Sequence, residues 1–155
     1  MNKYTKILFS IWLPILVWFI SSYFTLNSIE NWYMDLNKPF FNPPNWIFWP
    51  VWTLLYIMIW ISFYIVWNKW FWVNKNRVKI VYFIQLFLNF LWSFSFFYLE
   101  NPLLWLINII ILWLVIIYNI ILFHKVDKKA WFLLIPYLLW VSFATMLNLA
   151  IYLLN

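Results

Sequence analysis

The chain has 155 residues, of which 68% are hydrophobic and only 9% are charged, and its mean hydropathy is +0.86. Soluble domains carry about 25% charged residues, so this composition excludes an ordinary soluble protein and indicates an integral membrane protein. The net charge of +6 does not indicate nucleic-acid binding, because the basic residues separate apolar stretches instead of forming one charged surface.

Five apolar stretches of about twenty residues follow one another, and each can cross roughly 30 Å of hydrocarbon as a helix. The first resembles a signal peptide, but its apolar run is too long and no small-residue cleavage site follows it. The sequence therefore predicts an all-α membrane protein, a five-transmembrane-helix bundle that forms a single domain over residues 1–155. The predicted spans are Lys6–Leu26, Trp46–Asn68, Lys79–Leu99, Leu103–Phe123 and Ala130–Leu154.

Prolines mark the predicted boundaries and bends of these helices. Pro14 and Pro136 lie inside spans one and five, where they predict kinks. Asn101 followed by Pro102 predicts an N-cap with proline in the first turn of span four. We expect the segment Asn42–Asn45, which contains two prolines, to begin span two in a similar way.

The connection between spans one and two, Asn27–Asn45, is about nineteen residues long. Loops of this length in compact proteins are either functional lids or disordered. Prolines fix φ in this segment, and its aromatic rings would be costly to leave in water. We therefore expect an ordered, lid-like first loop.

Aromatic and amide side chains recur at helical spacing in the spans that follow. The faces that they form are Trp49, Trp52, Tyr56, Trp60, Phe63 and Trp67 in span two; Gln85, Asn89, Trp92 and Phe96 in span three; Asn108, Leu112, Val115 and Asn119 in span four; and Trp140, Ala144 and Asn148 in span five. An unsatisfied amide in hydrocarbon costs several kcal/mol, so these faces should point inward. Rings with a few amides would suit a pocket for a large, planar, mostly apolar molecule.

Two plainer interpretations of these residues stay open. Tryptophans near span ends are explained by an aromatic belt at the membrane interface; these are Trp49, Trp67, Trp70 and Trp72. The amides of Asn89, Asn108 and Asn148 would also serve as hydrogen-bonding contacts between helices, worth about 0.6 kcal/mol each.

Conventional catalytic groups are missing from the predicted spans. The four acidic residues, which all fall in predicted loops, are Glu30, Asp35, Glu100 and Asp127. The single histidine, His124, ends span four and is interpreted as an interfacial residue. The chain has no cysteine and no glycine, which excludes thiolate chemistry and glycine-rich phosphate loops. No metal site is predicted, and no cofactor is required.

The distribution of basic residues predicts the orientation of the chain in the membrane. Lys38 lies in the first loop, on the opposite side from all the other basic residues, which are Lys3, Lys6, Lys69, Lys75, Arg77, Lys79, Lys125, Lys128 and Lys129. The positive-inside rule then predicts a cytoplasmic N-terminus and an external C-terminus in a bacterial inner membrane or its equivalent.

Five linked motifs run through nearly the whole chain. They are Trp32-Tyr33; Leu36-x-Lys38-Pro39-x-Phe41-x-Pro43-Pro44-x-Trp46; Pro50-Val51-Trp52-x-Leu54-Leu55-Tyr56; Gln85-Leu86-x-Leu88-Asn89-x-x-Trp92-Ser93 with Phe96-Phe97; and Pro136-Tyr137-x-x-Trp140-x-x-Phe143-Ala144-Thr145-x-Leu147-Asn148. This set resembles the tryptophan-rich sensory protein or translocator protein family (TspO/MBR), which includes the peripheral benzodiazepine receptors. The resemblance implies a five-helix bundle with a lid-like first loop. It also implies that protoporphyrin IX, haem or lipophilic drug-like molecules bind between the helices.

The resemblance also implies a set of ligand-binding residues. Tyr33, Pro43 and Trp46 would belong to the lid. The pocket would be lined by Trp52, Tyr56, Asn89, Trp92, Trp140, Ala144 and Asn148, with Asn108 added by its spacing from the cap of span four. Some family members are reported to degrade protoporphyrin in light, and Trp52 and Trp140 match the tryptophans implicated there. They are therefore the candidate photochemical residues, and whether the chain is an enzyme stays open.

Three departures from the family pattern change what is expected. Phe41 replaces the usual tryptophan of the first loop, which removes an N–H donor. Trp60 and Ser62 stand where glycine is common in span two, so close packing must be achieved differently. No lysine or arginine follows Tyr152, so the cholesterol pattern of animal members is absent and steroid transport is not expected.

Three functions remain as alternatives: a receptor or sensor for porphyrin-type ligands, a transporter of porphyrins or other lipophilic molecules, and a non-catalytic regulatory or interaction protein. No inverted repeat or buried charge favours ion-coupled transport. An interaction protein predicts a filled interior, whereas the other two predict a cavity lined by Trp52 and Trp140. The expected partners are the lipid bilayer and a small lipophilic molecule, and a homodimer stays open.

Overall fold

The computed structural model describes residues 8, 11–12, 14–21, 32–69 and 75–155. Residues 14–21 are helical and are called α1. The other helices are α2 (Trp32–Asp35), α3 (Asn45–Asn68), α4 (Lys75–Phe97), α5 (Pro102–His124), α6 (Lys128–Leu133) and α7 (Ile135–Leu154). Within the described ranges the chain forms helices and connections without strands, which confirms the predicted all-α class.

Among the described residues, four helical segments are long and apolar enough to cross a membrane: Asn45–Asn68, Asn76–Phe96, Pro102–His124 and Lys128–Leu154. They correspond to predicted spans two to five and make the chain an integral membrane protein. Much of the first predicted span, Lys6–Leu26, lies outside the described residues, so a count of five spans and a single domain over residues 1–155 stay predictions.

Contacts at the two ends of the bundle show how the helices alternate in direction. At one end, Lys69 after α3 forms an ion pair with Asp127, which lies between α5 and α6. At the other end, Asn37 in the first loop hydrogen-bonds to Asn155 after α7. The connections that carry most of the basic residues therefore lie at the end of the bundle that contains Lys69, whereas Lys38 lies at the opposite end, together with Asn37.

Helix starts agree with the sequence at one predicted cap and differ at the other. The Asn101 side chain accepts hydrogen bonds from the N–H groups of Leu103 and Leu104 at 3.1 and 3.2 Å, which confirms the predicted cap of α5. The expected asparagine cap of α3 is wrong, because Pro44 is the N-cap residue and no side chain caps that helix. Asn42 is instead used by Tyr33, whose hydroxyl donates to its Oδ1 at 2.8 Å.

Proline divides the last span into two helices. α6 ends at Leu133 and α7 begins at Ile135, so the break lies just before Pro136, where a kink was predicted. The proline ring has no N–H and would clash with the carbonyl four residues earlier, which prevents a continuous helix. Leu134 joins the two parts and is fully buried, so the break lies inside the bundle. The kink predicted at Pro14 borders residues outside the described ranges.

Close packing is achieved here without glycine. Ser62 is fully buried, and its hydroxyl donates to the Ala130 carbonyl at 2.7 Å. This contact brings α3 against α6 through two small side chains, at the place where the sequence lacks the usual glycine. The next residue of α3, Phe63, stacks on Tyr82 of α4 with ring centroids 3.8 Å apart. Small polar residues and stacked rings therefore replace glycine at the helix contacts.

The acidic residues lie at helix ends and in connections. The expectation that all four lie in loops is wrong for Asp35, because it is the last residue of the short helix α2. Glu100 lies between α4 and α5 with a φ of 50°, a left-handed conformation that usually favours glycine. Asp127 is the N-cap of α6. Glu30 lies outside the described residues.

Candidate functional site

A cavity lies between α1, α3, α4 and α7, with α2 of the first loop at its wall. Its empty volume, including the part that opens to the outside, is about 850 Å³. The lining residues are Trp18, Ser21, Tyr33, Phe48, Trp49, Trp52, Tyr56, Asn89, Trp92, Ser93, Phe96, Trp140, Ala144, Leu147, Asn148 and Ile151.

Aromatic rings form most of the cavity wall. Trp52 of α3 lies 6.0 Å, between ring centroids, from both Tyr56 and Trp92. On the other side, Trp140 of α7 meets Phe48 edge-on at 6.1 Å. Tilted and edge-on contacts at these distances are favourable for aromatic pairs, so each ring is fixed by its neighbours while part of its surface faces the cavity.

Both polar atoms of the Asn148 amide have protein partners. Its Oδ1 accepts from the indole N–H of Trp92 at 3.0 Å, and its Nδ2 donates to the Ala144 carbonyl one turn earlier at 2.7 Å. Asn148 and Trp92 are both buried. This amide therefore joins α7 to α4 and orients the Trp92 ring, which is the role of a contact between helices.

The Asn89 amide differs, because one of its atoms has no protein partner. Its Nδ2 donates to the Gln85 carbonyl at 3.1 Å and to the Tyr137 hydroxyl at 2.5 Å. Its Oδ1 is buried and has no hydrogen-bond partner in the described part of the chain, and the same is true of the indole N–H of Trp140. The cavity wall thus offers one acceptor and one donor that a bound molecule could satisfy.

The first loop contributes Tyr33 to the cavity. Its ring is 3% exposed and rests on Phe96 of α4, with ring centroids 5.7 Å apart. Burial raises the pKa of the Tyr33 phenol to about 12, although the hydrogen bond to Asn42 acts in the opposite direction. Tyr33 therefore stays a neutral hydrogen-bond donor at any physiological pH. The Lys38 ammonium group lies 4.7 Å from the centre of the Tyr33 ring and brings a positive charge to this end of the cavity.

Eight of the eleven predicted ligand-binding residues line the cavity: Tyr33, Trp52, Tyr56, Asn89, Trp92, Trp140, Ala144 and Asn148. The other three do not. Pro43 belongs to the first loop without reaching the cavity, and the Trp46 side chain is 70% exposed at the start of α3. Asn108 is buried on α5, where its Nδ2 donates to the Leu88 carbonyl at 3.1 Å. α5 does not border the cavity, so Asn108 is a contact between helices.

Several lining residues were missed by the sequence analysis. Ile151 continues the spacing of Asn148 by one further turn, so the helical pattern could have included it. Trp49 and Phe96 belong to the predicted inward faces but not to the predicted ligand-binding residues, and both line the cavity. Trp49, which an interfacial belt would also have explained, contacts Trp18 at 6.1 Å between ring centroids. Trp18 and Ser21 of α1 carried no amide or motif that could have identified them.

The remaining belt residues and the histidine lie away from the cavity. Trp67 packs on Phe63 at 5.3 Å between ring centroids, and Trp70 and Trp72 lie outside the described residues. The His124 ring meets Trp131 edge-on at 5.3 Å at the other end of the bundle. Across the ranges that the structure describes, no three side chains of the metal-binding types gather into a site.

Comparison with known proteins gives consistent relatives along the whole chain. The family model described as "TspO/MBR family" matches residues 10–154. The Tryptophan-rich protein TspO of Archaeoglobus fulgidus is 50% identical over 150 residues, which cover 97% of each chain. The protein of the same name in Chlorobaculum tepidum is 44% identical over 144 residues, covering 90% of this chain and 89% of its own. The Translocator protein of Bos taurus is 33% identical over 138 residues, covering 88% and 82%.

Proposed function

The chain belongs to the TspO/MBR family of membrane proteins, and on that premise we propose that it is a membrane receptor or sensor that binds a porphyrin-type tetrapyrrole, such as protoporphyrin IX or haem, in the cavity beneath the first loop. Its relatives carry the names of tryptophan-rich sensory and translocator proteins. The observation that carries the proposal is the ring-lined cavity, whose lining residues Asn89 and Trp140 have buried polar atoms, Oδ1 and Nε1, without a hydrogen-bond partner among the described residues.

The chemistry of the wall suits a flat, conjugated molecule. Trp52, Trp92 and Trp140 present indole faces on which a planar macrocycle can stack, and each stacked ring removes a large apolar area from lipid or water. The indole N–H of Trp140 would donate to a carbonyl or carboxylate on the ligand, and Lys38 would lie near an acidic group at the mouth. An interaction protein with a filled interior agrees less well with this cavity.

The cavity lies at the end of the bundle that carries Lys38 and lacks the other described basic residues. With a cytoplasmic N-terminus, as the positive-inside rule predicts, the ligand would reach it from the outer face of the membrane. Trp52 and Trp140 remain the candidates for light-dependent degradation of the porphyrin, because an indole beside a photoexcited porphyrin is oxidisable.

Titration with protoporphyrin IX, followed by quenching of tryptophan fluorescence in detergent or nanodiscs, tests the proposed binding. Trp52→Phe combined with Trp140→Phe keeps two rings in the wall but removes both indoles, so the affinity should fall about tenfold or more while the fold is retained. Trp113→Phe is the matched control, because Trp113 lies on α5 away from the cavity and donates to Ser142 at 2.8 Å. Equal affinities in the double variant and the control would refute binding in this cavity.

Irradiation of the complexes in air then separates degradation from binding. Faster bleaching of bound than of free porphyrin, lost in the double variant at saturating ligand, would identify Trp52 and Trp140 as photochemical residues. Equal bleaching with and without protein would leave the chain a binder without this activity.

A further inference from the structure

The first loop is fastened across the cavity at both of its sides. On the α4 side, Trp32 and Tyr33 rest on Phe96, with ring centroids 5.8 and 5.7 Å away. On the α7 side, the Phe41 ring meets Phe143 at 6.3 Å between centroids. Because α4 and α7 are two walls of the cavity, a segment attached to both covers the space between them.

Two hydrogen bonds between the Asn37 backbone and the Asn155 side chain hold the first loop against the end of α7. The backbone N–H of Asn37 donates to Asn155 Oδ1 at 2.9 Å, and Asn155 Nδ2 donates back to the Asn37 carbonyl at 3.0 Å. The Asn37 side chain adds a longer bond to the Leu154 carbonyl at 3.4 Å. Asn155 Nδ2 also reaches the Ile151 carbonyl at 2.8 Å, which fixes the side chain on its own helix.

We infer that Asn155 and Asn37 are positioning residues that hold the first loop closed over the cavity and thereby set the rate at which the cavity opens. A primary amide carries an acceptor oxygen and an NH₂ donor group side by side, and here Oδ1 and Nδ2 of Asn155 meet the two backbone groups of a single loop residue. The Asn155 side chain therefore pairs with the Asn37 backbone N–H and carbonyl, as the backbone of a neighbouring strand would. The position of the bond matters, since Asn155 lies one turn beyond the cavity residue Ile151.

The internal contacts of the loop make this attachment effective. The Tyr33 hydroxyl bonds to Asn42, and the Asn42 N–H bonds to the Pro39 carbonyl at 3.0 Å. Lys38 Nζ donates to the Met34 carbonyl at 3.1 Å. The loop is thus tied to itself between residues 33 and 42, so release at Asn37 would let it swing away as one unit instead of fraying locally.

The inference gives a role to the loop of the proposed binding site, but it can be tested without any ligand. The chain has no cysteine, so a single introduced cysteine reports on its own position. Ala144→Cys places a thiol in the cavity wall, at a residue that is 6% exposed. If the loop must open before a small maleimide reaches this thiol, the labelling rate is proportional to the fraction of open molecules.

Asn155→Ala in the Ala144→Cys background removes both bonds to the Asn37 backbone, and we expect the labelling rate to rise about tenfold. Asn37→Ala leaves those two bonds and removes only the long side-chain bond, so its rise should be at most about threefold. The matched control is Asn45→Ala, which deletes an amide at the end of the same connection. Among the described residues, the Asn45 side chain hydrogen-bonds to the Met34 sulfur alone, at 3.9 Å, and its loss should leave the labelling rate unchanged.

Labelling in SDS gives the intrinsic rate of each thiol, and thermal unfolding in detergent shows that the variants are folded. The inference is supported if the rates follow the order Asn155→Ala, Asn37→Ala, Asn45→Ala while the unfolding temperatures stay together. Equal rates in Asn155→Ala and Asn45→Ala would overturn it, as would a tenfold rise in all three. Protoporphyrin titration of the unmodified chain is scored separately, so loss of the proposed ligand and loss of the proposed closure give different results.

Discussion

Substitution of Asn148, which unlike Asn89 has a protein partner for both atoms of its amide, should lower the stability of the fold. Asn148→Leu keeps the side-chain volume but removes the acceptor of the Trp92 indole N–H, which lies 3.0 Å away. Trp92 is 8% exposed, so the donor would be left in a largely dry site. Leaving a buried donor unpaired costs about 1–3 kcal/mol, and hydrogen bonds between membrane helices reach about 1.7 kcal/mol at most.

We therefore expect Asn148→Leu to lower the free energy of unfolding by about 1–2 kcal/mol. Removing both partners should cost less than the sum of the two single changes, because Trp92→Phe takes away the donor that Asn148→Leu leaves unpaired. The coupling between the two sites should be about 0.6–1.7 kcal/mol.

Unfolding by SDS titration, followed by circular dichroism in detergent micelles, measures all four proteins of this cycle. Met146→Leu serves as the control, because Met146 is on the same helix and 67% exposed, and it should change stability by less than about 0.5 kcal/mol. If the two single effects add within about 0.5 kcal/mol, the bond between Trp92 and Asn148 contributes nothing and the assignment of Asn148 as a contact between helices is refuted.

Three further outcomes are expected. Ser62→Ala should cost about 1 kcal/mol in thermal unfolding, since the Ala130 carbonyl loses its 2.7 Å partner, and Ser62→Leu should cost more through overpacking; equal losses would contradict a close contact. The Lys69 ammonium holds the pKa of the Asp127 carboxyl below its usual 3.8, so this ion pair stabilises the fold above pH 3.8 and the stabilisation is lost as pH falls through the lowered pKa. Asp127→Asn should therefore flatten the pH dependence of the free energy of unfolding below about pH 4, and equal slopes in the variant and the unmodified chain would refute this. Phe41→Trp should lower the dissociation constant for protoporphyrin a few-fold through the added ring area and N–H, and no gain would argue against a direct contact with the ligand.

The spans could be predicted because their signals are local. The length of the apolar stretches predicted the four membrane-crossing segments of the described chain, and the sequence Asn101-Pro102 predicted the N-cap of α5. The predicted start of α3 was wrong because the Asn42 carboxamide accepts a hydrogen bond from the Tyr33 hydroxyl across the loop and does not cap the helix. Such a choice depends on a tertiary contact that helical spacing does not contain.

The eight predicted ligand-binding residues that line the cavity all came from the family motifs, whereas Asn108, which was added by spacing alone, does not line it. Spacing placed Asn108 on an inward face, and the residue is indeed buried, but a helix that packs against several neighbours has an inward face toward each of them. α5 turns that face to α4, at the Leu88 carbonyl, instead of to the cavity. Nor could the sequence separate Asn148 from Asn89, since the difference lies in which amide atom finds a partner.

Ring geometry differs between the filled part of the bundle and the part that holds the cavity. Glycine lets helix backbones approach closely and closes the space between them, whereas large rings hold helices apart unless they stack face to face. Phe63 and Tyr82 do stack, and the bundle is filled at that level. Around Trp52 and Trp140 the rings meet at tilted or edge-on angles with centroids about 6 Å apart, so they brace one another without filling the space between α3 and α7. A wall of this kind cannot collapse without breaking several ring contacts at once, so the rings that line the cavity also hold it open.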